Sequence, residues 1–139
     1  ETLSKGADVN EHDDKGITPL SWAAMAGQAD AAQLLIKKGA KINGKNRDGG
    51  TPLHGAAFLG QTEIVKLLIK NKANLNVSND KGETPLDNSA HRWDEIQGIM
   101  QIVGGMLQME VDLDRAKAGR PKIVDLLKEN GGRSGEDFR

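Results

Sequence analysis

The chain has 139 residues, with 20 Asp or Glu against 19 Lys or Arg and a formal net charge of −1. That balance excludes a partner recruited by bulk charge, because a nucleic-acid binder needs a basic surplus to release counterions from phosphate. The absence of Cys excludes disulfide frameworks, thiolate metal sites and thiol nucleophiles, and two Trp plus two Phe are too few for a base-stacking platform. With 37% apolar residues the chain supports one modest core, or a core spread along a line. No apolar run reaches the roughly 18 residues of a membrane span, and no signal-peptide core opens the sequence. Seventeen Gly is nearly double the usual share of about 7%, and the excess needs a reason.

In chain order, residues 1–6 and Ala7 match Leu34 to Ala40 under a fixed shift, as the last turn of a helix. One turn cannot nucleate alone. The expectation is therefore a fragment whose preceding helix pair lies upstream, with an apolar flank open around Leu20, Leu34 and Leu35. Residues 7–39, 40–72 and 73–105 then read as three units. Thr18-Pro19-Leu20, Thr51-Pro52-Leu53 and Thr84-Pro85-Leu86 recur every 33 residues, as do Gly16, Gly49 and Gly82, and Asn10, Asn43 and Asn76. Residues 7–39 and 40–72 are identical at 14 of 33 aligned positions, where chance gives roughly two.

Each unit assembles from physical signals. Gly16, Gly49 and Gly82 give backbone freedom to a turn flanked by Asp13-Asp14-Lys15, Asn46-Arg47-Asp48 and Asn79-Asp80-Lys81. The following Thr caps a short helix, Leu53 to about Leu59 in the second unit, and Pro fills its first position. Ala56 and Ala57 are small where a neighbour approaches, and Gly27 or Gly60 ends the helix. A second helix carries Ile64, Val65, Leu67, Leu68 and Ile69 at helical spacing among Lys66 and Lys70. An extended dipeptide, Lys41-Ile42 or Asn74-Leu75, starts the next hairpin.

The string Asp48-Gly49-Gly50-Thr51-Pro52-Leu53-His54-Gly55-Ala56-Ala57-Phe58-Leu59-Gly60, followed by Ile64-Val65-Lys66-Leu67-Leu68, resembles the ankyrin repeat, whose period and T-P-L-H-x-A signature it shares. The resemblance covers residues 7–90. It implies an all-α solenoid of stacked helix-turn-helix units with projecting β-hairpin loops, each unit touching only its neighbours.

Beyond Ala90 two registers compete. In one, a 26-residue insertion, Trp93 to Ala118, separates the third unit's helices, because Gly119 to Leu127 matches Gly60 to Leu68. In the other, Glu95-Ile96 starts the third unit's second helix and residues 106–132 form a shortened capping repeat. The second is preferred, since it needs only a one-residue deletion and a loop contraction. The repeat domain is then 1–132 and the tail 133–139 is flexible. Either way Trp93, Ile96, Ile99, Met100, Val103, Met106 and Leu107 define a wide apolar helical face, expected to pack on the stack. The terminal helix, about Pro121 to Asn130, puts Lys128 where the second unit has Ile69, as a cap requires.

No constellation carries chemistry. His54 takes the signature His position, implied by the resemblance to bond within the repeat. His12 and His91 lack neighbouring ligands at metal spacing. There is no Gly-x-Ser-x-Gly elbow and no phosphate-cradling loop, and paired acids such as Asp13-Asp14 or Asp112 with Asp114 read as solvated surface. The chain is expected not to be an enzyme and to need no cofactor or metal.

What remains is a binding surface. Positions that vary on the regular framework are His12, Asp14, Lys15 and Ile17, then Lys45, Arg47 and Asp48, then Asp80, Lys81 and Glu83, on the hairpins. On the ends of the first helices they are Met25, Phe58 and Leu59, His91 and Arg92. The resemblance implies that these line a concave face. Apolar Met25, Phe58 and Leu59 ringed by mixed charge have the anatomy of a protein interface. Trp22, aligned with Gly55 and Asn88, reads as core. The expected function is a non-catalytic module binding a protein or peptide, with no nucleic acid or membrane partner and a monomeric state. Alternatives are a weak homodimer through the N-terminal flank or the Trp93–Leu107 helix, and a regulatory segment of a longer enzyme. Localisation stays open, with the cytoplasm favoured and an exported form equally compatible with a Cys-free chain.

Overall fold

The structure, a computed structural model, describes residues 9–138. The expectation for residues 1–6, and the start of the first unit at Ala7, fall outside them. Seven helices follow in order: α1 Pro19–Met25, α2 Ala29–Lys37, α3 Pro52–Phe58, α4 Thr62–Lys70, α5 Pro85–Ala90, α6 Trp93–Met106 and α7 Leu113–Glu129. A short 3-10 turn, Gly135–Phe138, closes the chain.

The helix starts form as the sequence dictates. Thr18 accepts from the Ser21 N–H at 3.1 Å at the head of α1. At α5 the Thr84 N–H donates to Asp87 at 3.0 Å while the Asp87 N–H points back to the Thr84 hydroxyl, a reciprocal cap. Pro at the first helical position sacrifices an N–H that would have no partner there. The loops before α1, α3 and α5 are each closed by two main-chain bonds, Asp13 N to Ile17 O at 3.0 Å, Asn46 N to Gly50 O at 2.7 Å and Asn79 N to Glu83 O at 2.9 Å, with the Gly16, Gly49 and Gly82 N–H groups donating back to Asp13, Asn46 and Asn79 O at 2.9 Å. The projecting hairpins are thus hydrogen-bonded turns, and no strand occurs among the described residues. Gly16, Gly49 and Gly82 take φ of +76°, +80° and +77° at their tips, a region costly for any residue with a Cβ.

Two layers of helices result. α1, α3 and α5 pack side by side, and α2, α4 and α7 form the layer behind them. Leu20, Leu53 and Leu86 from the first layer meet Leu35, Leu68 and Leu127 from the second in one extended core. Burying each such side chain contributes about 1.5–3 kcal/mol, spread along the stack and not gathered in one centre.

The helix that packs on α5 is α7. α7 packs on α5 and α4 as α4 packs on α3 and α2, so α7 and not α6 stands behind the third unit. Ile123 and Leu127 are fully buried among Ile64, Leu68 and Leu86, whereas the buried residues of α6 join a separate cluster. Pro121 lies inside α7 and lacks the N–H that would bond back one turn.

A recurrent side-chain bond links successive stretches of the chain. Asn10 accepts from the Lys41 N–H at 2.7 Å, Asn43 from the Asn74 N–H at 2.8 Å, and Asn76 from the Arg133 N–H at 2.7 Å. Arg133 thus occupies the place that begins each following unit. Residues 133–135 dock against the start of α5. The Thr84 hydroxyl donates to Arg133 O at 2.6 Å, and Asp87 accepts from Ser134 Oγ at 2.9 Å and Gly135 N at 2.8 Å. The open flank is also narrower than expected. Leu20 and Leu35 are buried, and only Leu34 is exposed, at 47%.

Candidate functional site

The turn tips project the charged positions singled out from the sequence. Asp14 and Lys15, Lys45, Arg47 and Asp48, and Asp80 and Lys81 are all exposed, in three adjacent rows, with Glu83 half-buried behind them. Main-chain bonds join the rows: Arg47 N donates to Gly16 O at 2.8 Å and Asp80 N to Asp48 O at 3.1 Å. His12 is exposed and its Nε2 donates to Lys45 O at 2.7 Å, tying the first row to the second.

Side-chain carboxylates and amides rigidify the tips. Asp13 accepts from the N–H groups of Lys15 and Ile17 at 3.0 and 2.9 Å and from Trp22 Nε1. Partial burial raises its pKa, but these donors and the Lys15 charge outweigh that and hold the carboxyl below its usual range. Asn79 makes the matching pair of bonds to Lys81 and Glu83. Asn46 instead accepts from Thr18 N at 3.1 Å, one unit back.

His54 sets the spacing between the second and third units. Thr51 N donates to its Nδ1 at 3.0 Å, so Nε2 carries the proton and donates to Glu83 O at 2.9 Å. Burial depresses its pKa, and the Glu83 carbonyl opposes this only in part. The imidazole is held neutral, in one tautomer, by two partners that fit no other.

The apolar half of the expected surface is differently disposed. Ile17, Met25 and Leu59 are buried, joining Ile96 and Met100 of α6 and Ala116 of α7 in a second cluster. Trp22, Phe58, Trp93, Leu107, Met109, Val111 and Leu113 pack partly buried around it. The segment after α5 folds back over the ends of α1 and α3, so Met25 and Leu59 are not open to a partner. Trp22 is half-buried at this cluster and not in the core, and Met25 is the side chain that lies over Gly55.

One side chain fastens this arrangement. Arg120, 4% exposed, donates from Nη1 to Phe58 O and from Nη2 to His91 O at 3.3 Å, and its guanidinium lies 5.4 Å from the Phe58 ring centroid. These are the carbonyls at the ends of α3 and α5, where helix dipoles present partial negative charge. Burial pushes the Arg120 pKa down to about 10, leaving it cationic at neutral pH. Sequence reasoning had no signal for this role, since Arg120 stands where the second unit has Gln61. His91 is half-buried with Nε2 3.0 Å from Glu83, and Arg92 is exposed and turned to Asp94 at 2.8 Å. Both sit at the exit from α5, and His91 reaches back to the third turn through Glu83.

Among the described residues no group of three or more His, Asp or Glu could hold a metal ion, and no helix is long and apolar enough to cross a membrane. A family model described as ankyrin repeats (3 copies) matches the chain over residues 1–79 and 40–103, the second match ending inside α6. No curated protein matches the chain.

Proposed function

The chain belongs to the ankyrin-repeat family, whose members are generally protein–protein interaction modules, and from that premise we propose that it binds a protein through the ridge of turn tips. The third unit, in this reading, runs through residues 73–92 and 119–132, with Trp93 to Ala118 inserted. The observation that carries the proposal is the exposure of Asp14-Lys15, Arg47-Asp48 and Asp80-Lys81 in adjacent rows on a rigid framework. Each row pairs opposite charges. Such a pattern selects a partner by matching alternating charge and rejects one of uniform sign, since like-charge contacts cost several kcal/mol.

The binding requires no catalysis by this chain. Because the tips are preorganised by Asp13, Asn79 and His54, little conformational entropy is lost on contact. The test is charge reversal of Arg47→Glu, Asp80→Lys and Lys81→Glu together, followed by cross-linking in extracts of the source cells. Partners captured by the wild type and lost from the variant support the ridge. An unchanged set places the interface elsewhere.

A further inference from the structure

The inserted segment covers one apolar surface and presents another. On α6, Ile99 is 50% exposed, Ile102 64% and Met106 71%. Their spacing of three and four places them on one stripe, which flanks the buried side of α6 carrying Ile96 and Met100. Gly98 and Gly105 adjoin the stripe, both exposed and with open space where a Cβ would stand. A second helix could therefore approach the α6 backbone closely. Gln97 and Gln101 are the polar side chains between Ile96 and Met106, so no charge interrupts the face.

Charge gathers at the ends of the stripe. From Trp93 to Asp114 the chain holds Asp94, Glu95, Glu110, Asp112 and Asp114 and no Lys or Arg, although the whole carries a net −1. All five acids are exposed. Arg92 offsets part of this through Asp94 at 2.8 Å and Glu95 at 3.9 Å, while Arg115 turns to the groove beside Gly60 and Thr62.

We propose that the outer face of α6 docks an amphipathic helix with an apolar stripe and basic residues at its ends. The charge decides between this occupant and a second copy of the chain. Two α6 helices packed antiparallel would bring Asp94 and Glu95 of one towards Glu110 and Asp112 of the other, and packed parallel would set Asp94 against Asp94, like charges in either case. A basic helix meets acid at both ends and apolar side chains between, as helix-in-groove recognition requires. This surface is separate from the ridge of tips, and its fate does not depend on whether the ridge binds.

The test titrates the full chain into a labelled synthetic helix carrying Leu at helical spacing and Lys elsewhere. One control peptide scrambles the Leu positions and another replaces every Lys by Glu. Saturable binding of the first peptide, about tenfold or more tighter than either control, is expected. Ile102→Gln with Met106→Gln should weaken it about tenfold, and Asp94→Asn, Glu95→Gln and Glu110→Gln together should weaken it and flatten its salt dependence. These positions are exposed, so the urea midpoint should match the wild type. The ridge variant Arg47→Glu with Lys81→Glu should bind the peptide unchanged. Absence of binding, equal binding of all three peptides, or indifference to the Ile102/Met106 change would overturn the proposal. So would a dimer in sedimentation that Ile102→Gln dissociates.

Discussion

The guanidinium of Arg120 stacks over the ring of Phe58 and donates to that same residue's carbonyl, so one side chain holds Phe58 by both its ring and its main chain. The second arm reaches His91 O, at the end of α5. Replacing Arg120 with Met keeps the stem and removes the donors, leaving two helix-end carbonyls without them. A loss of about 2–4 kcal/mol in urea unfolding is expected, on the scale of charged hydrogen bonds in a buried site. Arg120→Lys should restore less than half of it, because one ammonium cannot match the planar fork. A midpoint unchanged in both variants would show that the clamp adds nothing to stability.

His54 gives the stack a pH dependence with a definite sign. Its folded pKa lies below the free value of about 6.5, so below that pH the unfolded chain binds more protons than the folded one. Stability from this residue is complete above about pH 6.5 and is lost as pH falls towards the lower folded value, with a limiting slope of about 1.4 kcal/mol per pH unit. Urea midpoints measured between pH 7.5 and about 5.5 should fall for the wild type. His54→Gln, which keeps a donor for Glu83 O, should fall less steeply. Parallel pH curves for the two proteins would remove His54 as the cause.

Asp87 ties the C-terminal turn to α5. Burial raises its pKa, but donors from Thr84, Gly135 and Ser134 outweigh this and hold the carboxyl below its usual range. A group depressed in this way stabilises above the free value of about 3.9, and the contribution disappears as pH falls through the folded value. Asp87→Ala should cost about 1–3 kcal/mol. It should also raise amide exchange at Gly135 and Asp137 far more than at the α3 amides. Uniform acceleration across the chain would mean a general loss of stability and not release of the turn.

At Gly60 the first turns of α7 come close against the stack. A Cβ there would stand 2.5 Å from the Ala116 Cα, and the residue holds φ +71°. Gly60→Ala should therefore strain the turn and lift the start of α7 together, lowering the thermal midpoint by several degrees. Gly98→Ala, in open space on α6, should leave it level or higher. If both shifted equally, the close approach would not be the cause.

Much of the stack was legible because its constraints are local and repeated. Thr-Pro caps, turn glycines and the Asn bonds need only a few neighbouring residues, and a 33-residue period displays each of them again. Everything after Ala90 was harder. The apolar spacing of α6 fits a helix behind α5 as well as one folded over α1 and α3, and spacing does not name the surface covered. The match of Gly119 to Leu127 with Gly60 to Leu68, and the bond of Asn76 to a partner 57 residues away, speak for the register proposed above. Met25 and Leu59 sit at variable positions, where an apolar residue reads the same whether a partner covers it or, as here, residues of α6 and α7 do. Arg120 gave no signal, because its partners are main-chain carbonyls, which carry no sequence identity.

The clamp of Arg120 on Phe58 and His91 brings the exit from the stack at residue 91 and the return at residue 120 within the reach of one guanidinium. A segment whose two ends are pinned together behaves as a cassette. It can lengthen, shorten or be exchanged without changing the pitch of the units on either side, as surface loops with fixed ends tolerate insertion. New specificity could then be acquired between residues 91 and 120 while the repeats keep their own geometry, and the same site offers a place to graft a designed helix on a scaffold that already knows how to fold.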